Sequence, residues 1–170
     1  MKKTSFIIVL LSISSMAWSQ VNYLSEFEQK WANAKAYTLE LAESMPESAY
    51  DYGPTEEQMS FKEQLLHITS NMVWLTSSYL GGEKLEADLK KSDYSKAEVI
   101  KILTDAFDLA AQAVKAFPEE DLETEVKFFA GPMSKRQIMV LMNDHVVHHR
   151  GQIIVYARLK GVKPPKFRGW

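Results

Sequence analysis

Residues 134–160 read SKRQIMVLMNDHVVHHRGQIIVYARLK, and this stretch decides the fold. Apolar residues recur through it at spacings of three and four, which predicts an α-helix of about seven turns. Ser134 with Gln137 forms a capping-box pattern at its start, and Gly161 marks its end. Because apolar side chains cover most of its surface, we expect this helix to lie centrally among others.

Three further stretches carry the same local signals. Ser25, Ser60 and Ser95 are each followed by a glutamate three residues later, then by an apolar run with helical spacing. Each run ends at glycine or proline. The predicted fold class is therefore all-α, a four-helix bundle. The predicted helices span about 24–44, 58–80, 95–116 and 134–160. The connections 46–57 and 118–133 carry aromatic residues and are expected to cover an end of the bundle.

The N-terminal segment has the features of a secretory signal peptide. Lys2 and Lys3 precede the apolar run FIIVLLSI at 6–13, and Ala17-Trp18-Ser19 gives the small-x-small pattern of a cleavage site. We therefore expect residues 1–19 to be a cleaved signal peptide and residues 20–170 to form one domain. The mature protein would be periplasmic or extracellular, with no stable membrane anchor after cleavage.

Composition and charge exclude several classes of function. Removing residues 1–19 takes away two of the 20 basic residues and none of the 22 acidic ones, which leaves 18 − 22 = −4. A weakly acidic surface lacks the basic stripe that nucleic-acid binding requires, so no nucleic-acid partner is expected. The sequence contains no cysteine, so the protein itself supplies neither a disulfide nor a thiolate nucleophile.

The four histidines lie in two of the predicted helices. His67 is in the second helix, and His145, His148 and His149 are in the fourth. His145 and His149 are one turn apart, about 40° around a helix, and two imidazoles at that spacing can bind one metal ion. His148 lies about 100° from His149, so both cannot join His145 in one site. Hydrogen-bonded structural histidines are the alternative interpretation of all four residues.

Two of these stretches resemble a known family. MSFKEQLLHITSNMVWL at 59–75 and DHVVHHRGQIIVYARLKGVKPP at 144–165 are similar to the signature stretches of the DinB/YfiT-like family. MPESAYDYGPTEEQMS at 45–60 and PMSKRQ at 132–137 extend the resemblance over nearly the whole domain.

The resemblance implies a fold, a set of ligands and an assembly. Members of that family are four-helix bundles in which three histidines hold a divalent metal, usually zinc or nickel. The implied ligands of Zn²⁺ or Ni²⁺ are His67, His145 and His149, because His149 directly precedes Arg150-Gly151-Gln152. Family members are often dimeric, so the resemblance also allows a homodimer.

Polar residues near the implied ligands are candidate catalytic residues. Asn71 lies one turn after His67 and Gln64 about one turn before it, where either could hydrogen-bond an imidazole, water or substrate. Polarity of the helix surface is the alternative for both. Arg150 is a third candidate, although a structural salt bridge with an aspartate is the simpler interpretation. Gly151 costs about 1 kcal/mol relative to alanine within a helix, which close approach of another helix near the metal would explain.

The implied metal site favours an enzyme. Three neutral imidazoles leave a divalent ion with an open position, where the pKa of a water falls from near 15.7 to about 7. The sequence therefore predicts a hydrolase-like metalloenzyme acting on an unknown small molecule, although no glutamate adjoins the helix-four histidines as general base. One alternative is a non-catalytic metal-binding bundle. Another is a thiol-dependent transferase, as in some family members, which predicted export disfavours because low-molecular-weight thiols are kept in the cytosol.

Overall fold

The computed structural model describes residues 22–91 and 93–170, and the predicted signal peptide lies outside them. The helices are α1 (Tyr23–Ser44), α2 (Phe61–Tyr79), α3 (Lys96–Lys115) and α4 (Lys135–Leu159). Two short 3-10 turns, Glu47–Ala49 and Glu119–Asp121, and an antiparallel pair, β1 (Glu125–Val126) with β2 (Met133–Ser134), lie in the connections. The predicted all-α four-helix bundle is confirmed, and every helix boundary lies within three residues of its prediction.

Local side-chain caps explain where the helices begin. The predicted capping boxes open α2, α3 and α4, each with the serine oxygen accepting from a first-turn N–H: Ser60, Ser95 and Ser134. The predicted box at Ser25 is wrong, because Asn22 caps α1 and its Oδ1 accepts from the Ser25 N–H at 3.1 Å. Asparagine is as good an N-cap as serine, so the N-cap lies three residues before the predicted one.

Each helix has an extensive interface with two others. α1 and α2 each pack against α3 and α4, so the order around the bundle is α1–α3–α2–α4 and consecutive helices α1 and α2 are diagonal. The predicted apolar stripes of α2 and α3 face the resulting core. Its fully buried members include Leu65, Ile68, Met72, Leu103 and Ala110. Within the described residues, no helix is long and apolar enough to cross a membrane.

The predicted central position of α4 is wrong. α4 lies at one corner of the bundle and leaves Val140, Val147, Val155 and Leu159 exposed along its outer face. Single apolar residues on a protein surface are ordinary, because polar residues are too few to cover it. An apolar pattern around most of a helix therefore overstated its burial.

The connection between α3 and α4 covers one end of α2. The β1–β2 pair holds the loop so that the buried Phe128 lies 5.7 Å from Trp74 and 5.8 Å from Tyr79, measured between ring centroids. The next ring, Phe129, is 85% exposed. The expectation that residues 118–133 cover an end of the bundle holds through Phe128, while the short hairpin was not predicted from the sequence.

Candidate metal centre

Three imidazoles meet where α2 packs against α4. His67 comes from α2, His145 and His149 come from successive turns of α4, and one ligand atom of each lies within 4.8 Å of the others. Nε2 of His67 is 3.2 Å from Nε2 of His145. Tetrahedral zinc with Zn–N distances of 2.0–2.1 Å places its ligand nitrogens about 3.3 Å apart. The donor set and its spacing therefore fit a divalent metal ion.

The protonation state of the cluster suits metal binding. Burial, followed by the charges of His149, His67 and His148, lowers the pKa of His145 to about 4. Burial, followed by the charge of His67, lowers the pKa of His149 to about 4 as well. Burial also lowers the pKa of His67. All three rings are therefore neutral near pH 7, the form whose lone pair binds a metal.

A hydrogen-bonded chain fixes the orientation of His149. Gln64 is 2% exposed, and its Oε1 accepts from Nδ1 of His149 at 2.6 Å. Because that proton occupies Nδ1, Nε2 of His149 keeps the lone pair for a metal. Nε2 of Gln64 donates to Oε1 of Gln152 at 2.6 Å, and Nε2 of Gln152 donates to Nε2 of His148 at 2.9 Å. Gln64 therefore contacts one imidazole of the cluster and would position it for a metal ion.

The other polar residues around the cluster differ in what they reach. His148 is exposed and lies outside the three-histidine cluster, at the outer end of the glutamine chain. Asn71, one turn after His67, has a buried Oδ1 with no hydrogen-bond partner among the described residues. The role of Gln152 was missed, although it lies one turn after His148 on the same helix face and that spacing could have indicated the pair.

Comparison with known proteins identifies the family of this chain. The model of the DinB family matches residues 18–170. This chain belongs to the DinB family. YjoA of Bacillus subtilis strain 168 is 28% identical to it over 132 residues, which cover 73% of this chain and 82% of YjoA. The predicted resemblance is thereby confirmed.

Solved DinB-like structures share the bundle. The crystal structure of B. subtilis YjoA has a TM-score of 0.70 at 22% identity and covers 84% of this chain and 96% of that one. A DinB-like protein from Bacillus cereus ATCC 10987 has a TM-score of 0.74 at 19% identity, with coverage of 84% and 95%. The three-histidine cluster of this DinB-family chain therefore lies on a scaffold that other DinB-like proteins share.

A cavity opens beside the cluster of this DinB-family chain. It has a volume of about 550 Å³, and His67 forms part of its wall. Met59, Leu66 and Leu89 supply an apolar surface. Charged side chains surround that surface, including Lys62, Glu63, Lys90 and Lys91. A small molecule with both apolar and charged parts could therefore reach His67 from solvent.

Two residues of the HRG sequence in the DinB signature face away from the cluster. Arg150 lies on the α1 side of α4, where Nη1 is 3.4 Å from both the Ala34 oxygen and Thr38 Oγ1. Its predicted salt bridge with an aspartate is wrong, because Arg150 forms no ion pair with any residue in 22–91 or 93–170. The predicted close helix approach at Gly151 is also wrong, because nothing lies within 4 Å of the position of a Cβ there.

Proposed function

We propose that this DinB-family chain is a hydrolase-like metalloenzyme in which His67, His145 and His149 bind Zn²⁺ or Ni²⁺. The observation that carries the proposal is the convergence of three neutral imidazoles at one point. Gln64 supports it by holding the proton of His149 on Nδ1. A divalent ion bound there would supply a Lewis acid able to lower the pKa of a water molecule to about 7.

The surroundings of the cluster favour catalysis over a purely structural ion. His67 is half-buried and forms part of the wall of a 550 Å³ cavity, so the position beside it is open to a small molecule. The apolar core is continuous without the cluster, as the fully buried Leu65 and Ile68 on the same helix illustrate. An ion that only joined two helices would have a closed coordination sphere instead.

Each residue in or near the cluster would have a separate role that follows from its position. The three imidazoles bind the ion, and Gln64 orients one of them from α2. Asn71 Oδ1 offers a free acceptor one turn from His67, where it would hold a proton-bearing group of water or substrate. The cavity beside His67 would hold a small-molecule substrate with apolar and charged parts. With residues 1–19 as a signal peptide, the enzyme would act in the periplasm or outside the cell, without a nucleic-acid partner.

Metal content is the first test. Elemental analysis of protein purified without a polyhistidine tag is expected to find about one zinc or nickel per chain. The His145→Ala/His149→Ala double variant should lose it, whereas the matched His148→Ala variant should retain it because His148 lies outside the cluster. Wild-type protein that fails to take up zinc, nickel or manganese would refute the proposal.

Measurement of turnover distinguishes the proposed hydrolase from a thiol-dependent transferase and from a bundle with a purely structural ion. Metal-loaded protein would be screened against small esters, amides and phosphate esters, with and without low-molecular-weight thiols. Hydrolysis that needs no thiol and disappears in a His67→Ala variant is the expected result. Turnover that occurs only with a thiol would favour the transferase. A large fall in melting temperature on chelation, without turnover of any kind, would favour a structural ion.

A further inference from the structure

Arg150 is a buried charge without a counter-ion in residues 22–91 and 93–170. Its side chain is 6% exposed, and a guanidinium stays protonated at any pH at which proteins fold. Only Nη1 is hydrogen-bonded within the described chain, and both of its contacts, to the Ala34 oxygen and Thr38 Oγ1, are long at 3.4 Å. Its remaining contact is with the ring of Tyr37, whose centroid is 4.9 Å away. Nε and Nη2 form no hydrogen bond within the described residues, and neither is a buried, unsatisfied atom, so both donors are available to a ligand.

A cavity of about 190 Å³ opens beside the Arg150 guanidinium. α4 contributes Asn143, Val147 and Arg150, which follow one face of the helix. Lys30 and Ala34 of α1 form the facing wall. Asn143 is also buried, and its Oδ1 has no hydrogen-bond partner among the described residues. Because Asn143 Oδ1 accepts hydrogen bonds, it could bind a hydroxyl or amino group of a ligand but not an anionic oxygen.

The C-terminal segment closes the cavity from outside. Phe167, Arg168 and Gly169 complete its lining. The ring of Phe167 contacts Tyr37 edge-on at 6.3 Å between centroids, and Arg168 Nη2 is 2.7 Å from Glu40 Oε2. These two contacts hold a segment without helix or strand against the groove between α1 and α4.

The charges around this cavity are unbalanced. Lys30, Arg150 and Arg168 line it, and of these only Arg168 pairs with a carboxylate, that of Glu40. Lys30 also lines the adjoining cavity together with Glu26 and Asp144, and within the described residues no ion pair joins it to either acid. Lys30 Nζ lies 5.5 Å from the ring centroid of Trp170, and Arg150 forms no ion pair within the described residues, so positive groups outnumber carboxylates around this cavity. That local excess would attract an anion.

We propose that this cavity binds a small anion through a carboxylate or phosphate group. The planar guanidinium of Arg150 offers Nε and Nη2 to two oxygens of such a group, the pairing for which arginine is suited. Lys30 supplies the second charge from α1. The volume of about 190 Å³ admits an acid of a few carbons or a small phosphate ester. The site is distinct from the histidine cluster, because Arg150 faces α1 whereas His149 faces Gln64 of α2.

The test is a titration of metal-loaded protein with inorganic phosphate and, separately, with succinate. Isothermal titration calorimetry gives the affinity, and the Arg150 Nε–H resonance reports the place of binding. The Lys30→Gln/Arg168→Gln variant removes two cationic walls and leaves the buried Arg150 intact, so it is expected to fold. The matched control, Arg158→Gln, removes a charge from an exposed position on α4 outside the cavity.

We expect saturable binding that shifts the Arg150 resonance, weakens at least tenfold in the double variant and is unchanged in the control. Preference for phosphate or for succinate would assign the ligand to phosphate esters or to carboxylic acids. The absence of saturable binding to wild type would overturn the proposal. Equal affinity in the double variant would also overturn it, by placing the anion elsewhere, for example on the metal.

Discussion

Gln64 and His149 are joined across the α2–α4 interface by a hydrogen bond of 2.6 Å between Oε1 and Nδ1. α2 thus supplies one ligand of the candidate site, His67, and also the group that orients a ligand on the other helix. Because Gln64 is itself buried and bonded to Gln152, its amide has little freedom to turn. These contacts therefore orient the ligands of the candidate site without a metal ion.

The Gln64→Ala variant is expected to bind zinc 10–100-fold more weakly than wild type, because His149 loses the acceptor that fixes its tautomer. Competition with a chromophoric chelator measures the affinity. Gln64→Glu keeps an acceptor at that position and should bind within a few-fold of wild type. Gln29→Ala is a matched control at an exposed site on α1. Unchanged affinity in Gln64→Ala would show that the hydrogen bond does not prepare the site.

Acid should destabilise the metal-free protein through the histidine cluster. His145 and His149 have pKa values of about 4 in the folded chain, below the ordinary 6.5 that applies when it unfolds. The unfolded state therefore binds more protons between these values, and the free energy of unfolding falls as pH falls from about 6.5 to about 4. Above pH 6.5 the same groups have no effect.

Urea unfolding in EDTA at several pH values tests this expectation. Since carboxylates also titrate in part of this range, the informative quantity is the difference between wild type and a His145→Gln/His149→Gln variant. As pH falls below 6.5, the free energy of unfolding should fall less in the variant than in wild type. A difference that is independent of pH would contradict the burial of these imidazoles in neutral form.

Helix capping gives a prediction that tests the corrected start of α1. Ser95→Ala should lower the free energy of unfolding by about 0.5–2 kcal/mol, because the Ser95 hydroxyl caps α3. Ser25→Ala should cost less, since Asn22 caps α1 and Ser25 lies in its first turn. Chemical denaturation of both variants measures the two values. Equal losses would argue that Ser25 is a cap after all.

Gly151→Ala should raise the free energy of unfolding by about 0.5–1 kcal/mol. Alanine stabilises a helix interior relative to glycine, and no atom lies within 4 Å of the new Cβ. Thermal and urea unfolding measure the gain, and metal content should not change. A loss of stability would mean that a partner outside the described structure approaches this glycine.

The helices could be predicted because their signals are local. Capping and chain reversal depend on residues within a turn or two. Ser60 and Ser95 therefore indicate where their helices begin, whatever the rest of the fold is. The capping residue of α1 was predicted wrongly because the Ser25–Glu28 pattern and Asn22 are both acceptable N-caps. Which of the two residues caps the helix depends on the direction from which the preceding chain approaches it.

The site could be predicted only in part from spacing. The pairing of His145 with His149 follows from their spacing of one helical turn. His67 lies 78 residues from His145, and only the family resemblance indicated it as the third ligand. Spacing places adjacent residues about 100° apart around a helix, so Arg150 points away from His149. It could not indicate that α1 covers that side, because the neighbours of a helix are decided by the tertiary arrangement.

The diagonal placement of α1 and α2 also bears on how the chain acquires its structure. α2 and α3 are the one pair of successive helices with an extensive interface, so theirs is the contact with the shortest loop to close. We expect α1 and α4 to dock after that hairpin forms, because their contacts join residues farther apart in the chain. Since the histidine cluster spans α2 and α4, it is completed in that later stage. The ion would therefore enter a bundle that is already assembled, and would not serve as its nucleus.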